Sequence, residues 1–189
     1  MEGPKKENIE KMFDSIASDY DRLNHIMSLD VDKTWRLRAI RRIVDDSAPQ
    51  RILDIACGTG DFSIAIAEHS RPDTQICGLD LSEGMLSVMR EKVAARNLSG
   101  RISAEQGDSE HMRFEDNSFD RVTIAFGIRN FEHREAALKE ILRVLRPGGR
   151  LVILELSVPR NPVIRWFYKL YFTGIMPLIG GCISGDKSA

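Results

Sequence analysis

The stretch Arg51-Ile52-Leu53-Asp54-Ile55-Ala56-Cys57-Gly58-Thr59-Gly60-Asp61, continued by Phe62-Ser63-Ile64-Ala65-Ile66-Ala67-Glu68-His69, decides the fold. A short apolar run, a turn built on two glycines and an apolar helix-like run follow one another in the order of an α/β unit. Gly58 and Gly60 let backbone pass close to a ligand. Asp54, near the strand end, can order the loop through backbone amides or receive a ligand ammonium. The bland alternative is a glycine-rich turn with no ligand. The spacing departs from a dinucleotide fingerprint, because Ser63 stands where the third glycine of Gly-x-Gly-x-x-Gly belongs. No Gly-Lys-Ser or Gly-Lys-Thr follows the turn, which rules out a Walker loop.

Working outward, QICGLD ending at Asp80 reads as a second strand, residues 82–96 as a helix, ISAEQGD as a third strand and FDRVTIAF as a fourth. A helix over residues 135–145 and a fifth strand in GRLVILEL follow, with Pro147, Gly148 and Gly149 expected to stop the helix in a tight reversal. Upstream, Ile9, Met12, Phe13 and Ile16 share one helical face. Residues 33–44 form a second helix bearing Trp35, Leu37, Ile40, Ile43 and Val44, closed by Pro49, and residues 20–32 are an irregular connection. The expectation is one α/β domain with a doubly wound, mostly parallel sheet: a helical cap and lid over 1–49, a core over 50–157 and a hydrophobic-basic segment over 158–189.

Composition bounds the partners. With 189 residues, 42% hydrophobic, the chain suits a single domain with a sizeable core. Its 27 basic and 28 acidic residues nearly cancel, which argues against nucleic acid as a partner. Cys57, Cys77 and Cys182 have neither the number nor the spacing of a disulfide framework or a zinc cluster, and no signal-like opening is present. His25, His69, His111 and His133 lack ligand spacing, so no metal site is expected. The location expected is a reducing cytoplasm. No apolar run reaches the roughly 18 residues a bilayer span needs.

The strand ends carry a consistent set of polar groups. Asp80 ends the second strand, where a carboxylate can accept bonds from both hydroxyls of an adenosine ribose; the competing role is a helix N-cap, open to Asp80 or Ser82. Asp108, with the Ser109 backbone beside it, can accept from an exocyclic adenine amine, or it is a turn aspartate. Met85 lies against the adenine face or packs in the core. In an open α/β sheet Asp54, the glycine turn with Thr59, Asp80 and Asp108 face one crevice. An ammonium, a ribose and an adenine, without phosphate, fit them.

On these residues the chain resembles a class I S-adenosylmethionine-dependent methyltransferase, with its Rossmann-like fold. More narrowly, Tyr20-Asp21-Arg22-Leu23-Asn24 with Ser28, Asp32 and Trp35 resembles the first signature of the menaquinone and ubiquinone biosynthesis C-methyltransferases. Phe126-Gly127-Ile128-Arg129-Asn130-Phe131, and Arg143 to Gly149 ending in Glu155-Leu156-Ser157, resemble two later signatures of that family. Asp32 stands where the family often has histidine and Arg146 where lysine is common, so neither family role is carried over.

The resemblance implies S-adenosyl-L-methionine as cofactor and methylation of a ring carbon of a reduced polyprenyl quinone precursor, demethylmenaquinol ahead of the related benzoquinol. Arg129 is the expected electrostatic group for a developing phenolate and Asn130 the group that orients a water or ring oxygen, or else they are a capping arginine paired to a nearby carboxylate and a turn asparagine. Tyr20, Asp21, Asn24 and Asp32 would form a lid, with Phe13 and Trp35 closing its apolar side, or these rings simply pack the cap; His25 is the one histidine worth testing as a base. Cys57 reads as packing, Cys77 as buried and Glu155 as a brace. Arg160, Arg165 and Lys169 interleave with Trp166, Phe167, Tyr168, Tyr171 and Phe172, which suits a polyprenyl tail or peripheral contact with the inner face of a membrane, or else an ordinary packed helix. A homodimer is left open. The class usually has a seven-stranded sheet, so five strands and an end at Ala189 read as a domain lacking its last two strands. Other small-molecule methyltransferases, a non-enzymatic adenosyl-ligand sensor and a nicotinamide oxidoreductase are the competing functions.

Overall fold

The computed structural model describes residues 3–17, 20, 31–45, 47–156 and 161, with 31–33 described by backbone alone. Strands β1 (Arg51–Ile55), β2 (Gln75–Asp80), β3 (Ile102–Gln106), β4 (Phe119–Ala125) and β5 (Leu145–Leu154) form one sheet in the order β3-β2-β1-β4-β5. All four pairings are parallel. The order reverses between β1 and β4, where connections leave toward opposite faces and open a crevice at the carboxyl ends of the strands.

The apolar residues of the strands dictate this arrangement, because both faces need cover. Ile52 and Leu53 on β1 point to opposite sides and are fully buried. Ile52 joins Ile76 and Ile102 beneath α2 (Val31–Ile43), α3 (Asp61–Glu68) and α4 (Glu83–Ala95), against Ile40, Ile66, Leu86 and Met89. Leu53 and Ile55 join Val122 and Ile124 on the other face, under Ile141 and Val144 of α5 (Arg134–Val144). Each such side chain contributes about 1.5–3 kcal/mol on burial, which is why the short apolar runs, with little alternation, become interior parallel strands.

Two expectations are corrected. Pro147, Gly148 and Gly149 do not form a turn before the fifth strand, since β5 begins at Leu145, directly after α5, and contains them. Phe119 pairs with Leu145 and Arg121 with Arg150, so Arg146 to Gly149 bulge out of the ladder. A proline and a left-handed Gly148 are tolerated there because the bulge takes them out of pairing. Cys77 is only partly buried, and its thiol is pushed up to about 12, mainly by desolvation.

The N-terminal helix α1 (Lys6–Ile16) buries no residue fully. Its apolar face, with Ile9 and Phe13, hangs over the crevice. Polar contacts fasten it at both ends. Lys6 Nζ lies 2.5 Å from Asp108 and 2.9 Å from Glu110. Asp14 accepts from Ser82 Oγ at 2.5 Å and from the Gly84 amide at 3.1 Å. Gly3 N donates to the Glu132 carbonyl and Lys6 N to the Glu132 carboxylate.

Candidate functional site

The crevice is lined by the ends of β1, β2, β3 and β4 and roofed by α1. Its floor at β1 is the glycine turn, where Gly58 adopts φ +55° and Gly60 φ +82°. Two non-glycine residues share that left-handed region at its walls, Ala56 at φ +54° after β1 and Phe126 at φ +59° after β4. Such geometry costs about 1 kcal/mol or more per residue, and both lie at the switch point where a ligand would sit.

Asp80 holds the turn. Its carboxylate accepts from Gly58 N at 2.8 Å and Ser82 N at 3.0 Å, joining the glycine loop to the start of α4. Burial raises its pKa and the amides of Ser82, Gly58 and Leu81 oppose the rise. The N-cap role falls to Ser82, whose hydroxyl accepts from Met85 N at 3.1 Å. Asp80, lining the crevice, is left to the loop and the ligand. Asp54 sits below the turn rather than at its amides. Its carboxylate accepts from Ser63 Oγ at 2.6 Å and Thr123 Oγ1 at 2.8 Å. Desolvation carries its pKa to about 6 against those two bonds.

Asp108 lines the crevice at the β3 end and accepts from Glu110 N as well as Lys6. Burial raises its pKa, but Lys6, the Glu110 amide and His111 outweigh that and leave it lowered. Ser109 and a fully buried Met85 complete this wall. Thr59 lines a second, adjoining pocket, and its hydroxyl accepts from Lys92 Nζ at 3.3 Å. Gly60 lines neither pocket; it turns toward Met89 beneath the loop. Cys57 packs at 3.5 Å from the Met89 sulfur, and desolvation pushes its thiol well up, as suits a packing residue.

Past β4, a 3-10 turn over Ile128–Asn130 separates the two expected catalytic residues. Asn130 lines the crevice. Arg129 stands beside the crevice rather than among its lining residues, half exposed, with Nη1 2.6 Å from Glu155 Oε1. One residue along such a turn rotates the side chain by about a third of a circle, so the two side chains leave the turn in different directions. Glu155 is the brace expected, holding the β4 loop to the end of β5. Tyr20 lines both pockets and meets Phe13 edge to face, with centroids 5.8 Å apart. Trp35 packs on Phe126 at 6.5 Å. Asp21, Asn24 and His25, the Asp32 side chain and the segment from 162 onward lie outside the described residues.

Residues missed from the sequence are Lys6, Glu110 and Arg36. Glu110 is nearly fully buried and takes the His133 amide and Nδ1 together with Lys6. Lys6 and Glu110 read as ordinary surface charges, and no local pattern joins residues a hundred positions apart.

Among solved structures, the [4+2]-cyclase SpnF superposes with a TM-score of 0.73 at 23% identity, over 85% of this chain and 64% of that one. Because that protein is a cyclase, the likeness gives the fold alone. Closer in sequence is the demethylmenaquinone methyltransferase of Bacteroides fragilis, 45% identical over 188 residues, spanning 100% of this chain and 76% of that protein. The ubiquinone/menaquinone biosynthesis C-methyltransferase UbiE of Geobacter sulfurreducens is 47% identical over 180 residues, spanning 95% of this chain and 70% of that protein. The model of the ubiE/COQ5 methyltransferase family matches residues 1–189, and the chain, with its crevice at the sheet's switch point, belongs to that family of enzymes.

Proposed function

We propose that the chain transfers a methyl group from S-adenosyl-L-methionine to a ring carbon of a reduced polyprenyl quinone precursor, with demethylmenaquinol as substrate and menaquinol as product. The observation that carries the reading is Asp80 on the Gly58 amide. A carboxylate already takes the donor that a dinucleotide site would give to pyrophosphate, so the loop suits an uncharged ribose and a cationic sulfonium rather than a phosphate. The donors present fit the cofactor: Asp80 for the ribose hydroxyls, Asp108 and the Ser109 backbone for the adenine edge, Met85 for its face and the Gly58-Thr59 turn for the sulfonium side.

When bound, the cofactor supplies an electrophilic methyl group, so the chain has to align a carbon nucleophile with it and stabilise the electron-rich ring oxygen. Asn130 faces the crevice and orients that oxygen or the water that takes the ring proton. Arg129 supplies the positive charge from the rim, exchanging the Glu155 carboxylate for the phenolate as the quinol enters. Ile9, Phe13, Tyr20 and Phe126 give the crevice apolar walls that exclude water and strengthen both effects. The hydrophobic-basic sequence of residues 158–189 suits contact with a polyprenyl tail and a membrane surface; no helix among the described residues is long and apolar enough to cross one.

The test is to incubate purified protein with methyl-labelled S-adenosylmethionine and paired demethylated naphthoquinol and benzoquinol. Labelled carbon-methyl naphthoquinol is the expected product. Transfer to the benzoquinol alone reassigns the ring, and tight cofactor binding without transfer to either ring refutes the reading.

A further inference from the structure

Arg134 is the first residue of α5, just past the turn that carries Asn130. A cation at that end of a helix opposes the helix dipole. The side chain, half-buried, turns back from the helix instead. Its Nε donates to the Ile128 carbonyl at 3.1 Å and its Nη2 to the Arg129 carbonyl at 2.8 Å. Those carbonyls belong to the two peptide planes on either side of the Arg129 α-carbon. Each plane is rigid, so the rotations about that carbon are the only freedom between them. A planar guanidinium that holds both planes at once fixes the Arg129 backbone, and with it the direction in which Asn130 leaves the turn.

The backbone bonds of the turn itself are modest. Asn130 N donates to the Gly127 carbonyl at 2.9 Å, and Phe131 N reaches the Ile128 carbonyl only at 3.4 Å. The loop is pinned on either side of the turn. Gly127 passes so close to Ala56 that a Cβ would stand 2.5 Å from the Ala56 Cβ, and His133 N is bonded to Glu110 at 2.8 Å. Between those points the fork of Arg134 supplies the charge-assisted bonds, about twice as strong as neutral ones. We propose that Arg134 is a positioning residue for methyl transfer, acting through Asn130: it locks the turn so that the Asn130 amide stays aimed at the acceptor ring. Arg134 is not among the residues that line the crevice, so its effect reaches the ring only through the turn. The inference rests on the function proposed above.

The test uses Arg134→Gln, which loses the charged fork, Arg134→Lys, which keeps the charge without the fork, and each change combined with Asn130→Ala. Methyl transfer is measured at saturating cofactor and demethylated naphthoquinol, cofactor affinity by calorimetry with S-adenosylhomocysteine, and exchange of the Asn130 amide by NMR. Arg134→Gln is expected to lower kcat about tenfold, the scale on which losing charge-assisted bonds shifts the turn from held to loosened. Asn130 amide exchange should quicken by a similar factor, about tenfold, with S-adenosylhomocysteine affinity within about twofold of wild type. Arg134→Lys falls between in both rate and exchange. In the Asn130→Ala protein, adding Arg134→Gln is expected to change kcat by less than about twofold, because the group it positions is gone. A further loss of about tenfold there assigns Arg134 a separate effect and overturns the proposal. Unchanged amide exchange in Arg134→Gln overturns it too, as do equal losses in kcat and cofactor affinity. Wild type that binds the cofactor yet methylates neither quinol refutes the function and takes the role of Arg134 with it. Transfer by wild type that Arg134→Gln leaves intact removes the positioning role alone.

Discussion

The two glycines of the turn are expected to fail in different ways when each is replaced by alanine. Gly60 sits at φ +82°, and a Cβ there would stand 2.4 Å from Met89 Cγ and 3.2 Å from its sulfur. Met89 is fully buried, so it has no open side to retreat into. The left-handed backbone costs an L-residue about 1–2 kcal/mol and overpacking a filled core about 1–3 kcal/mol, which gives a destabilisation of about 2–5 kcal/mol for Gly60→Ala. Domains of this kind have about 5–15 kcal/mol in all, so the loss is a large fraction of the whole. Gly58, at φ +55°, has only Tyr20 Cε1 near its missing Cβ, at 3.9 Å. Gly58→Ala therefore carries the backbone term alone, about 1–2 kcal/mol, but its methyl enters the space between the two pockets and should weaken S-adenosylhomocysteine about tenfold or more. Urea denaturation gives the stabilities and calorimetry the affinities. A Gly60→Ala protein within about 0.5 kcal/mol of wild type, or a Gly58→Ala protein as unstable as Gly60→Ala, would refute the geometry of the turn.

Asp80→Ala removes the acceptor for both Gly58 N and Ser82 N and is expected to raise the dissociation constant for S-adenosylhomocysteine by about 100-fold, while Asp80→Asn, which keeps one acceptor, loses less; equal affinity in all three proteins would remove Asp80 from the site. Arg129→Ala should lower kcat about 10–100-fold and leave cofactor affinity unchanged, and a loss seen only in cofactor affinity would contradict its charge acting on the quinol. Burial carries the Asp54 carboxyl to a pKa of about 6 in the folded protein, against about 3.9 for an unperturbed aspartate. The native state thus holds the proton more tightly than the unfolded chain, and stability is expected to fall as pH rises from about 4 to about 6, by an amount on the order of 3 kcal/mol, and to stay flat above. Asp54→Asn should flatten that slope and raise Tm at pH 7, and thermal melts showing an unchanged slope would locate the titration elsewhere.

The fold was legible because the strand runs had to be covered on both faces. RILDI puts Ile52 and Leu53 at consecutive positions, and QICGLD runs from Ile76 to Leu79 without a charged residue, patterns a half-exposed sheet would not carry. The carboxylates at the ends of β2 and β3 were legible for a related reason: parallel topology sends every strand's carboxyl end to one side. What stayed hidden depends on rotation and on distance along the chain. Arg129 and Asn130 are neighbours in sequence, and only the 3-10 turn decides that Asn130 lines the crevice while Arg129 pairs with Glu155 beside it. Pro147 to Gly149 carry the chemistry of a turn, yet the ladder absorbs them as a bulge. Lys6, Asp14 and Arg36 look like the solvated side of amphipathic helices, and their partners lie on elements brought close only by the finished sheet.

The attachment of α1 has a kinetic consequence. This short helix is tied to the adenine end of the crevice through Asp108 and Glu110, and to the segment just after Asn130 through Glu132. Filling the nucleoside end, where Lys6 now occupies Asp108, therefore disturbs the same roof that covers the acceptor ring. Such a shared roof favours ordered addition, cofactor first and quinol second. In steady-state rates, a dead-end quinol analogue should be uncompetitive toward S-adenosylmethionine, and noncompetitive inhibition would mean random addition, with the roof opening independently at its two ends.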